Sequence, residues 1–284
     1  MNFLITGSNG QLAKEILKES DKRGISFDAF DHKSLDITDL KSVREVIKSK
    51  KPDVVINCAA YNAVDRAEDD WQNAYLVNGI GPKNLAIACE ENNAALVHYS
   101  TDYVFDGLKH APYTIADDPN PISQYGKSKL LGERFVQALS RKYFIIRVSW
   151  VFGIGNETNF VKKVIEWSSK NDTIKVVDDQ ISSPTYAVDL AKATLDLIKT
   201  GAYGLYHITS PNPCSRYEWA EYILELIGWK GRLVPAKSDE FKTQAKRPGY
   251  SFMDSFPIIQ TIGYNLADWK DMTKRMMKEL KIDN

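Results

Sequence analysis

Over the first half of the chain, short apolar runs alternate with longer amphipathic segments, and that order constrains the fold more than any other feature. Asn2 to Thr6 is an apolar run of strand length, after which Leu12, Ile16 and Leu17 recur at helical spacing. Phe27 to Phe30, Val54 to Cys58, Ala95 to Tyr99 and Phe144 to Val148 supply four more strand candidates. Thr38 or Asp39 offers a cap to a helix carrying Val43, Val46 and Ile47. Ser123 or Gln124 precedes a helix over 125–139 whose apolar stripe is Leu130, Leu131, Phe135 and Leu139. Strands that take turns with helices build a parallel sheet covered on both faces.

The predicted architecture is therefore α/β, a Rossmann-type doubly wound parallel sheet with a smaller C-terminal substrate-binding lobe. Residues 1–150 form the main part, with later segments returning to it, and 151–284 form mainly the smaller lobe. Beyond residue 150 the alternation becomes irregular. Helical spacing recurs over 160–167, 187–198, 216–227 and 266–280, an extended run spans 205–208, and Pro211, Pro213, Pro235, Pro248 and Pro257 punctuate the remainder.

Charge narrows the partners. Lys plus Arg number 37 and Asp plus Glu number 37, so no net field is available to hold a nucleic acid or an anionic bilayer. Small phosphorylated ligands stay open. Cys58, Cys89 and Cys214 are odd in number and form no metal-ligand spacing, which suits reduced thiols in a cytoplasmic protein. The apolar run Phe3-Leu4-Ile5 is too short for a signal-peptide core or a spanning helix.

Thr6-Gly7-Ser8-Asn9-Gly10-Gln11-Leu12-Ala13 joins the first strand to the first helix, where backbone amides can face a pyrophosphate. Its spacing departs from GxGxxG, and the alternative is an ordinary turn with two glycines. Asp31 follows the second strand, where a carboxylate accepts hydrogen bonds from an adenosine ribose and favours NADH. His32 and Lys33 beside it could accept a 2′-phosphate, so NADPH and NADH both stay open.

Tyr125-Gly126-Lys127-Ser128-Lys129 puts a phenol and an ammonium four residues apart, on one helix face. A free tyrosine has a pKa near ~10, and a neighbouring cation should bring it closer to neutrality for general acid–base work. Ser100-Thr101-Asp102-Tyr103 follows the fourth strand, at the carboxyl end where open α/β sheets place ligands.

TGxxGxx, a hydroxyl residue after the fourth strand and YxxxK together resemble the extended short-chain dehydrogenase/reductase superfamily. Four phrases sharpen that resemblance to the dTDP-4-dehydrorhamnose reductases: residues 35–39, 52–61, 100–107 and Arg247-Pro248. It spans essentially the whole chain. It implies reduction of the C4 ketone of dTDP-6-deoxy-L-lyxo-4-hexulose by NADPH or NADH, with Thr101, Tyr125 and Lys129 as the catalytic set. It assigns Gly7, Ser8, Asn9, Gly10, Gln11 and Leu12 to the pyrophosphate turn, and Asp36 and Ile37 to the adenine flank. Ala59, Ala60 and Tyr61 fall beside the coenzyme ribose, with Asn78 in a helix backing them. Tyr103, Trp150, Asn159 and Arg247, with Thr101, are the substrate-side choices; their alternatives are core for the aromatics, a helix cap for Asn159 and a surface charge for Arg247. Ala13 stands where many relatives carry glycine.

The same resemblance leaves two rivals. One is another nucleotide-sugar epimerase or dehydratase, although Tyr103 stands where dehydratases continue an Asp-Glu pair. The other is a non-catalytic regulatory subunit similar to the methionine adenosyltransferase β subunit. Monomer and homodimer both stay open. A divalent ion such as magnesium at a subunit interface is implied for some members, and the chemistry does not require it.

Overall fold

The computed structural model describes residues 1–155 and 158–281. Its first half runs β1 Asn2–Thr6, α1 Gln11–Lys22, β2 Ser26–Phe30, α2 Leu40–Lys50, β3 Val54–Asn57, α3 Trp71–Tyr75, α4 Gly81–Glu91, β4 Ala95–Thr101, α5 Gln124–Leu139 and β5 Tyr143–Val148. The second half adds β6 Val151–Phe152, α6 Phe160–Lys170, β7 Thr173–Val177, β8 Ile181–Ser182, β9 Thr185–Tyr186 and α7 Ala187–Thr200. It ends with β10 Gly204–His207, β11 Cys214–Ser215, α8 Arg216–Leu226, β12 Arg232–Ala236, α9 Ile258–Ile262 and α10 Trp269–Glu279.

Six strands form one parallel sheet in the order β10-β5-β4-β3-β1-β2. Strand periodicity explains its two covered faces. Phe3, Ile5, Val54, Ile56, Val97, Phe144 and Ile146 bury one face with Ile16 of α1 and Leu190 of α7. The residues between them, Leu4, Val55, Leu96 and Ile145, bury the other with Val43 and Ile47 of α2, Leu85 of α4 and Val136 of α5. The chain winds out to β2 and returns past β1 to β3, so the crevice at the carboxyl ends opens between β1 and β3.

After β5 the chain leaves the sheet, yet α7 returns against α1 and β10 extends the sheet beside β5. The other late segments pair in twos: β6 with β9, β7 with β12 and β8 with β11. Of these, β6 follows directly on β5, and Ser182 of β8 reaches Asp102 just beyond β4. The Phe152, Phe160 and Trp219 side chains pack together, with Trp219 and Phe152 rings 5.2 Å apart. Among the described residues no helix is long and apolar enough to cross a membrane.

Candidate active site

The turn after β1 is built for close backbone approach. Gly7 has φ of 66°, and a Cβ there would lie 2.6 Å from the Ala59 nitrogen, so only glycine fits. Gly10 caps α1 with no side-chain hydrogen bond, and no acid stands in the first turn. The first amides of α1 therefore keep their donors for an anion, the arrangement a pyrophosphate requires. Gln11 reaches across to donate to the Val151 carbonyl at 3.0 Å, tying the turn to the second half of the chain. Ala13 is fully buried in the interface with the sheet, where its methyl is accommodated.

Asn57 fixes the opposite wall. Its Oδ1 accepts from the Thr6 hydroxyl at 2.7 Å and from the Ala59 amide at 3.1 Å. Burial holds the His98 ring neutral, so its Nδ1 accepts from Asn57 Nδ2 at 3.1 Å. Ala59 and Ala60 thus line the cavity from a pinned strand end.

The catalytic candidates come from β4 and α5. Ser123 caps α5 by accepting from the Gly126 amide at 3.1 Å. A Cβ on Gly126 would lie 2.2 Å from the Tyr103 carbonyl, so the start of α5 sits directly on the chain that follows β4. That approach brings the Tyr125 hydroxyl to the Thr101 hydroxyl and sets the Tyr103 and Tyr125 rings edge to face, 5.8 Å apart. One turn on, the Lys129 ammonium donates to the Tyr99 carbonyl at 2.6 Å.

The electrostatics differ from the sequence expectation. Tyr125 is pushed well above the ordinary tyrosine value, because burial outweighs the Thr101 hydrogen bond and Asp102 adds repulsion. Lys129 is itself lowered to about 8 by burial, with Glu133 opposing, and its charge is spent on the Tyr99 carbonyl. Spacing on one helix face was thus insufficient to predict a depressed phenol. The group present is a protonated phenol.

Thr101, Tyr103, Tyr125, Lys129, Trp150 and Asn159 open onto one cavity of about 570 Å³, which Gly10, Gln11, Leu12, Ala59 and Ala60 also line. Gly7, Ser8, Asn9, Asp31, Asp36, Ile37, Tyr61, Asn78 and Arg247 do not line it. Asn9 donates to Asp31 Oδ2 at 3.2 Å, and Asp31 Oδ1 accepts from the Lys33 and Ser34 amides, closing its own turn. The Ile37 side chain packs in the core, and its carbonyl accepts from Asn84. Asp36 accepts from the Thr38 amide and hydroxyl. Asn78, in a π turn over Leu76–Ile80, holds both backbone groups of Tyr61 and donates to Ser128 of α5 at 3.0 Å.

Asn159 is both a lining residue and the cap of α6, accepting from the Lys162 amide at 3.1 Å. Arg247 is paired at the rim with Asp65, 2.7 Å away. Trp150 has φ of 43°, a strained value for a bulky residue. It packs parallel to Trp219 and under the Arg216 guanidinium, which sits 3.6 Å from its ring centre.

Arg216 is the residue that sequence reasoning missed. It lines the cavity, stacks on Trp150 and Phe160, and has no carboxylate partner among the described residues. Burial lowers it to about 10, still charged at neutral pH. A signal was available: Arg216 opens a helix directly after its Ser215 cap, where a cation opposes the helix dipole and needs another reason to be there. Among the described residues no cluster of three or more His, Cys, Asp and Glu side chains could hold a metal ion.

A parallel sheet wound through a phosphate-ready turn, with a Thr, Tyr and Lys at the switch crevice, defines the class: a dinucleotide-binding short-chain dehydrogenase/reductase. Comparison with known proteins narrows the class. The family model described as RmlD substrate binding domain matches residues 1–282. The chain is 43% identical to a dTDP-4-dehydrorhamnose reductase of Clostridium acetobutylicum whose crystal structure superposes with a TM-score of 0.96, covering 99% of this chain and 100% of that one. A dTDP-4-dehydrorhamnose reductase from Bacillus anthracis, solved in complex with NADP, superposes with a TM-score of 0.94 at 39% identity, over 98% and 99% of the two chains. The dTDP-4-dehydrorhamnose reductase of Aggregatibacter actinomycetemcomitans is 39% identical over 96% of this chain and 97% of its own. The chain belongs to the dTDP-4-dehydrorhamnose reductase family.

Proposed function

We propose that the protein reduces the C4 ketone of dTDP-6-deoxy-L-lyxo-4-hexulose with NADPH or NADH, giving dTDP-L-rhamnose. The observation that carries this reading is the convergence of Thr101, Tyr125 and Lys129 on the cavity that the uncapped start of α1 also enters. The coenzyme, when bound, supplies the hydride. The first amides of α1 hold its pyrophosphate, Asn9 and Asp31 stand on the adenosine side, and Lys129 with Ala59 and Ala60 faces the ribose next to the nicotinamide.

Tyr125 is protonated and buried, which suits a general acid that donates to the ketone oxygen as negative charge develops there. Thr101 hydrogen-bonds the same oxygen. The phenolate left behind forms one helical turn from the Lys129 ammonium, so a cation is in place when the charge appears. Trp150 stacks on the sugar or thymine ring, and Arg216 with Arg247 takes the diphosphate through its planar fork. Tyr103 and Asn159 complete the polar wall around the sugar.

The test is coenzyme oxidation followed at the reduced nicotinamide band, with ketosugar generated from dTDP-glucose by a dehydratase and an epimerase. Oxidation accompanied by dTDP-L-rhamnose supports the reading. A folded, coenzyme-binding protein that leaves both coenzymes reduced overturns it.

A further inference from the structure

Three hydroxyls from three distant parts of the chain converge on the Asp102 carboxylate, which is only 2% exposed. Thr101 donates to Oδ1 at 3.1 Å, and Ser251 and Ser182 donate to Oδ2 at 2.6 and 3.3 Å. No Lys, Arg or His lies within ion-pair distance of it among the described residues. The charged or titratable groups that face it are Arg216 from α8, Tyr125 from α5 and the adjacent Tyr103.

We propose that Asp102 is a positioning residue that decides where the Thr101 hydroxyl hydrogen points: as a carboxylate it keeps that hydrogen, and as a neutral acid it releases it to the ketone oxygen. The inference rests on the placement of that oxygen against Thr101. A hydroxyl has one hydrogen and two lone pairs. With Asp102 ionised, the hydrogen is spent on Oδ1 and a lone pair receives the Tyr103 amide, 3.2 Å away. The Thr101 donor is then turned away from the ketone. With Asp102 neutral, its own proton goes to Thr101, the Tyr103 amide fills the second lone pair, and the Thr101 hydrogen is freed.

The surroundings set the balance between these states. Burial favours the neutral acid and raises Asp102 to about 6 against the pull of its three hydroxyls and Arg216. A diphosphate docked on Arg216 would neutralise the cation that favours ionisation. Filling the cavity with substrate therefore moves Asp102 toward the neutral form that frees the Thr101 donor.

The experiment is the pH dependence of kcat for ketone reduction in the wild type, Asp102→Asn, Ser251→Ala and Thr101→Val, with coenzyme affinity as the check on folding. Wild-type kcat is expected to fall at least tenfold as pH rises through a titration that Asp102→Asn lacks; the loss of one such donor costs on the order of 10²-fold. Ser251→Ala removes a hydrogen bond that favours the carboxylate, so the wild-type limb should move up by about one pH unit. If Asp102→Asn does not fold, the Ser251→Ala shift decides. If the limb assigned to Asp102, which lies below the separate Lys129 limb, persists in Asp102→Asn or stays in place in Ser251→Ala, the proposal is overturned, while a slow Thr101→Val leaves the reductase reading standing. Unchanged kcat in Thr101→Val removes the placement of the ketone on Thr101 and the proposal with it.

Discussion

Tyr125 and Lys129 divide the work by burial. The phenol stays protonated because its anion is poorly solvated, and the ammonium is held near neutrality by the same effect. Tyr125→Phe should lower kcat by about 10²- to 10⁴-fold while coenzyme affinity, measured by fluorescence titration, stays within about twofold. Lys129 is charged below about 8 and neutral above it. Turnover should therefore fall as pH rises through that value in the wild type and in Asp102→Asn alike, read from kcat/KM profiles. Arg216 carries a different prediction: Arg216→Ala should raise KM for the dTDP-sugar by about 10- to 100-fold with a smaller change in kcat, since it removes charge-assisted bonds to a group remote from the reacting carbon. YxxxK and the hydroxyl after β4 were legible because their positions in the element order are diagnostic. The convergence on Asp102 was not, because Ser182 and Ser251 lie 80 and 149 residues away along the chain.

The helix that carries Tyr125 and Lys129, α5, is seated on its neighbours at several points along its length. Its start is seated on the Tyr103 carbonyl through Gly126, and its middle on the Asn78 carbonyl through Gly132, where a Cβ would come within 2.2 Å. One turn beyond Lys129, Glu133 receives two hydrogen bonds from Arg147 of β5, at 3.0 and 2.7 Å, with both side chains almost fully buried. Glu133→Gln leaves the Arg147 charge uncompensated and should destabilise the fold by about 3–5 kcal/mol, measured by urea unfolding. The pair also links α5 to Phe105, which lies 5.1 Å from the Arg147 guanidinium and stacks on Tyr113. Sequence periodicity located this helix and offered Ser123 or Gln124 as its cap, of which Ser123 caps it, since an amphipathic stripe and a capping residue are local signals. It gave no sign of the π turn at 76–80, where an ordinary helical pattern hides the added residue that aims Asn78 at Tyr61 and Ser128. It also passed over β12, because Pro235 reads as punctuation, although in a two-stranded pair proline is tolerated at an edge.

At the scale of the molecule, the sheet brings the phosphate turn and the end of β4 to one crevice, and the second half of the chain closes that crevice from above. Gln11 on Val151, the strained Trp150 and the Asp102 cluster are among the points where the two halves meet. The broad α/β plan was legible because six parallel strands demand alternating segments. The way late segments interleave was less so, since α7 and β10 return to the sheet while shorter strands around them do not. The central claim is that this crevice reduces one particular ketosugar. It is tested most directly by presenting the 4-ketone in two forms, before and after epimerisation, with NADPH and NADH in parallel, and identifying the sugar product by NMR. The account predicts coenzyme oxidation that requires the epimerase and yields dTDP-L-rhamnose. Equal or faster oxidation with the unepimerised ketone, or product of another configuration, would contradict it.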